Sequence, residues 1–110
     1  VTQPSALPVQ GLAKGYVYFD SVPAVSNALN VVSVVKNGTG DFTITWTAAT
    51  FATATYTVVV TPKFTGGGGA VRIAMVSNAN FTATTTRILI TDLAGALADP
   101  NDVMVVAYEL

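Results

Sequence analysis

Apolar and polar residues alternate with a period of two along most of this chain. Phe42, Ile44 and Trp46 alternate with Thr43, Thr45 and Thr47, and Tyr56, Val58 and Val60 lie on one side of residues 54–61. In residues 85–91, Ile88 and Ile90 oppose Arg87 and Leu89. Alternation of β-branched and aromatic residues predicts strands. Strands are also predicted at 15–20, where Tyr16 and Tyr18 oppose Val17 and Phe19, at 70–76, where Val71, Ile73 and Met75 oppose Arg72, Ala74 and Val76, and at 103–108, a continuous apolar run. The valine-rich run 31–35 meets residues 42–47 through Asn37-Gly38-Thr39-Gly40-Asp41, which predicts a β-hairpin.

The breakers divide these runs. Pro4 and Pro8 in residues 1–11 predict an extended linker or arm, leaving 12–110 as the folded domain. Pro23 and Asn27 make residues 21–29 an irregular connection or an edge, and Pro62 is expected to end the strand before it. Gly66, Gly67, Gly68 and Gly69 predict the most mobile loop of the chain, because glycine loses the most backbone entropy on ordering. Residues 77–80 carry turn chemistry. Gly95 and Pro100 keep 92–100 a loop despite its alanine and leucine content. The expected fold is all-β, an antiparallel β-sandwich of about seven short strands.

Composition adds a partner to this picture. The 110 residues suffice for one core, 51% of them are hydrophobic and only 10% are charged. An ordinary domain carries about 25% charged residues, so apolar surface is expected to be buried against other chains. Ile44 and Val58 are placed at such contacts. No apolar run reaches the roughly 18 residues of a membrane-spanning helix. A net charge of −1 offers nothing to nucleic acid or to an anionic membrane. The chain begins at Val1 without a basic and apolar leader, so it is expected to be a piece of a longer polypeptide or a processed product.

Candidate chemistry is sparse. The absence of histidine and cysteine removes the commonest general base, the commonest metal ligand and thiol chemistry. Asp41 in its glycine turn is expected to bond locally, and Asp99-Pro100-Asn101-Asp102 matches no calcium loop. The glycine run lacks the Lys-Ser or Lys-Thr of a phosphate loop. Asn37-Gly38-Thr39 and Asn80-Phe81-Thr82 fit the glycosylation acceptor pattern by coincidence in a chain rich in threonine and asparagine. Trp46 shares the face of Phe42 and Ile44 and is assigned to the core. The expectation is a non-enzymatic protein with no catalytic residue, metal or cofactor. Ligand contact is placed in loops, at Lys63, Phe64, Gly66, Gly67, Gly68, Gly69, Asn78, Asn80 and Phe81.

The ordered set of segments resembles the carboxyl-terminal domain of tail-fibre and related receptor-binding proteins of tailed bacteriophages. The matching residues are Asn30, Val31 and Ser33, the turn Asn37 to Asp41, Phe42, Thr43, Thr45, Ala54 and Tyr56. Upstream, Ala13 to Asp20 is similar to that family's opening strand, with tyrosine where tryptophan is usual. Thr85 to Ile90 and Asp99 to Tyr108 resemble its later segments. The resemblance implies a sandwich-like tip domain of a virion tail fibre, outside the cell, commonly a parallel homotrimer. Its partners would be other copies of the chain and a bacterial surface glycan or protein, without nucleic acid or membrane insertion. Two rivals remain: a capsid-decoration or filament subunit, and a carbohydrate-binding module using Tyr16, Tyr18 or Trp46.

Overall fold

The computed structural model describes residues 12–65 and 71–110. The expected arm at 1–11 and the glycines at 66–69 lie outside the described residues. Eight strands form, and no helix occurs among the described residues. They are β1 (Ala13–Asp20), β2 (Val25–Leu29), β3 (Val31–Gly38), β4 (Asp41–Trp46), β5 (Tyr56–Lys63), β6 (Ile73–Ser77), β7 (Thr85–Thr91) and β8 (Asp102–Glu109). They make two four-stranded antiparallel sheets, ordered β2-β1-β8-β5 and β3-β4-β7-β6.

The core lies between the sheets and is built from the alternate residues of their central strands. β1 and β8 supply Val17, Phe19, Val103, Val105 and Ala107, and β4 and β7 supply Phe42, Ile44, Trp46, Ile88 and Ile90. Fully burying each large side chain contributes about 1.5–3 kcal/mol. Phe19 and Phe42 meet edge to face across the two sheets, with centroids 5.2 Å apart. Gly15 leaves room for the Trp46 ring, since a Cβ there would come within 2.6 Å of Cζ3. Ile44 is fully buried and Val58 packs against the core. Neither residue is therefore free for the subunit contact expected of it.

The predicted hairpin is present as β3 and β4. Its left-handed position is Gly40, with φ of 64°. β2 is the strand beyond the seven expected. Every residue of it is exposed, so neither face is selected for apolar residues and no alternation marks it. Asn30 alone separates β2 from β3. It adopts φ of 57°, a left-handed conformation that asparagine tolerates, as the chain crosses between sheets. Its amide Nδ2 donates to Lys14 O at 2.7 Å, and its carbonyl accepts from Thr47 N at 2.8 Å.

Pro62 does not end β5. It pairs with Val103 inside the strand, because β5 is an edge where a missing N–H interrupts no ladder on the outer side. Residues 92–100 form a loop that returns to β7 through a Thr91–Leu97 bridge, as expected.

Candidate functional site

Strand direction sorts the loops into two ends. Lys63, Asp102 and Asp20 are aligned by register at one end of the first sheet, and Thr91 and Ile73 end the same side of the second. The other end carries Ala13, Tyr56, Ser77 and Thr85. The loop-contact residues predicted from sequence are thus divided: Lys63 and Phe64 lie at the first end, and Asn78, Asn80 and Phe81 at the opposite one.

At the first end a depression of about 440 Å³ is lined by Pro62, Lys63, Phe64, Thr65, Asn101 and Asp102. Register brings it together, for Lys63 closes β5 opposite Asp102, which opens β8. Lys63 Nζ donates to Tyr18 Oη at 2.8 Å and lies 3.7 Å from Asp102 Oδ2. The Tyr18 hydroxyl, and then the Asp102 carboxylate, raise the Lys63 pKa. Asn101 clamps the chain after β5: its N–H donates to Lys63 O at 2.8 Å, and its Oδ1 accepts from Thr65 N at 2.8 Å. The Arg72 guanidinium sits 3.9 Å from the centroid of the Phe64 ring and donates from Nε to Asp99 O at 2.9 Å.

This end offers a cation, an amide, a carboxylate and an exposed phenyl ring. Such groups hold a ligand by hydrogen bonds and stacking. The Asp99 carboxylate is already engaged, accepting from Lys36 Nζ at 2.7 Å and Gly40 N at 2.8 Å. Among the described residues, no three His, Cys, Asp or Glu side chains gather to hold a metal. Sequence reasoning missed Arg72, Asn101 and Asp102 as neighbours of Lys63 and Phe64. The only signal was the polar turn at 99–102, which carries no address for its partner loop.

At the opposite end Asn78 and Asn80 are exposed, and Asn80 has φ of 61°. Phe81 is half-buried. Its ring stacks on Tyr56 at 4.5 Å, Tyr56 stacks on Phe51 at 4.1 Å, and Phe51 meets Trp46 edge to face at 5.6 Å. Phe81 thus caps the core with the inner part of its ring. Trp46 is 1% exposed and its Nε1 donates to Thr86 Oγ1 at 2.9 Å, so it offers no platform to a sugar. Asp41 does more than hold its turn. It is buried, paired with Arg87 through contacts of 2.9 and 2.6 Å, and accepts from Asn37 Nδ2 at 3.1 Å.

Comparison of the chain with protein-family models, curated proteins and solved structures found no match.

Proposed function

We propose that the domain is a virion structural and adhesion module, the tip of a phage tail fibre. In this reading it assembles as a homotrimer and holds a bacterial surface glycan or protein by non-covalent contact. One observation carries the reading. Twelve apolar residues are buried in the core and no buried side-chain nitrogen or oxygen is left unpaired among the described residues, yet fifteen large hydrophobic residues remain exposed there. The whole chain has only five basic and six acidic residues with which to solvate its surface. That surplus apolar surface serves contact rather than folding. The depression at Lys63 and Phe64 is the proposed receptor contact. Repetition in a trimer would raise avidity without new contacts.

A purely architectural role, as a capsid-decoration or filament subunit, is the second reading. It is favoured by the placement of the two predicted contact loops at opposite ends, which leaves no single tip gathering both.

Sedimentation equilibrium at micromolar concentration tests the assembly, with three times the chain mass of 11.3 kDa as the expected result. Titration with lipopolysaccharide and cell-wall polysaccharide preparations, and with envelope protein fractions, tests adhesion. Phe64→Ala should weaken binding while leaving the mass unchanged. An assembled protein that binds none of these shifts the assignment to architecture, and a monomer that binds none overturns both readings.

A further inference from the structure

The two sheets present unlike outer faces. Register sets Leu29, Tyr16, Val106 and Val59 side by side in one row across the first sheet, with Tyr18 beside Met104 in the next. The second sheet turns outward the rows Ser33-Thr45-Thr85, Val35-Thr43-Arg87-Ser77 and Asp41-Leu89-Met75, so hydroxyls and the Asp41–Arg87 ion pair lie between Val35 and the pair Leu89 and Met75. Hydroxyls and an ion pair at the centre of the second face suit water, whereas the centre of the first carries tyrosine, methionine and valine without a charge, residues that contact surfaces bury.

We infer that the outer face of the first sheet, centred on Tyr16, Val106 and Val59, is where this chain packs against further copies of itself. The inference rests on the assembly proposed above and assigns it a face. Charge argues for a second copy as the occupant. Lys63 is paired with Asp102 at one end of this sheet and Lys14 with Glu109 at the other, and Asp20 beside Asp102 is bound by the Val22 and Ala24 N–H groups, so the charges lie at the rim and leave the centre uncharged. A charged partner finds no counter-charge at the centre. A sugar would find its hydrogen-bonding groups in the flanking rows, at Asn27, Thr61, Thr57 and Tyr108, whereas the central row offers only the Tyr16 hydroxyl. A neutral face of the same kind is its natural complement.

Area argues the same way. Four strands about 4.8 Å apart, with residues rising about 3.3 Å each, give a face of roughly 500 Å² in projection. β1, β5 and β8 each supply eight residues of that length. Three such faces turned to a common axis gather about 1,500 Å² before side-chain relief is counted, above the roughly 1,000 Å² that a specific interface has to clear.

The chain has no cysteine, so one introduced thiol reports on one position. Val59→Cys on this face and Thr45→Cys on the other should both react with a maleimide at high dilution. At concentrations where the protein is assembled, Val59→Cys should react about tenfold more slowly and Thr45→Cys at an unchanged rate. Val106→Lys should weaken association at least about tenfold while keeping the far-ultraviolet spectrum of the parent. Protection of Thr45→Cys with Val59→Cys still reactive overturns the face and leaves the assembly standing. A parent protein that stays monomeric at every concentration removes the assembly reading itself. A monomer whose Tyr16→Ala variant loses affinity for polysaccharide gives the face to a sugar instead.

Discussion

At the residue scale, two neighbours in the hairpin turn do unlike work. Gly40 is buried with φ of 64°, and an added Cβ would overlap Ile90 O and come within 2.8 Å of Ala98 N. Backbone cannot swing aside as a side-chain tip can. Gly40→Ala should therefore destabilise the domain by about 2–4 kcal/mol, combining left-handed strain with overpacking, as read from urea midpoints. Beside it, hydrogen bonds from Arg87 outweigh burial and hold the Asp41 pKa below its ordinary 3.8. The folded form thus keeps its proton off more readily than the unfolded chain. The stability from this pair is fully present above pH 3.8 and is lost as pH falls through the lowered folded value. Asp41→Asn should cost about 1–3 kcal/mol at neutral pH and make stability fall less steeply below pH 4. Unfolding curves at pH 7 and pH 3 check both halves, and equal slopes for parent and variant would remove the charge from the account.

At the element scale, the aromatic stack ties one end of both sheets together. Tyr56 opens β5, and its hydroxyl lies 2.6 Å from Thr82 O, 3.0 Å from Thr85 O and 2.9 Å from Thr86 Oγ1. The Trp46 indole can only donate, so protons run from Trp46 to Thr86, from Thr86 to Tyr56 and from Tyr56 to the 82–85 turn. Tyr56→Phe should cost about 1–2 kcal/mol. It should also speed hydrogen exchange at the Trp46 amide, which donates to Thr84 O at 2.7 Å. The hairpin and strands β4 and β7 were legible because their alternation records one buried face, and β8 because its apolar run is short and continuous. β2 was illegible because it has none. Pro62 misled because edge and centre look alike until strand order is known.

At the scale of the whole molecule, the outward apolar rows are the largest feature that folding does not explain. If they drive assembly, association should persist at molar sodium chloride, where the screening length is about 3 Å, and tighten in sodium sulfate. Light scattering against salt reads this directly. Dissociation by sodium chloride alone would place the contact in ion pairs, of which the described residues show four, all within one chain.

The sequence by itself determined the all-β class, the hairpin, the core place of Trp46 and the faces that Phe42 shares with Trp46 and Ile88 with Ile90, because a period of two is a local property of the chain. Only the tertiary structure decided which strands lie at edges, which end each loop occupies and which charges meet. Asp99 reaches Gly40 across 59 positions and Arg87 reaches Asp41 across 46. Such pairs arise when strand order and register bring distant residues side by side, and no local pattern encodes that order.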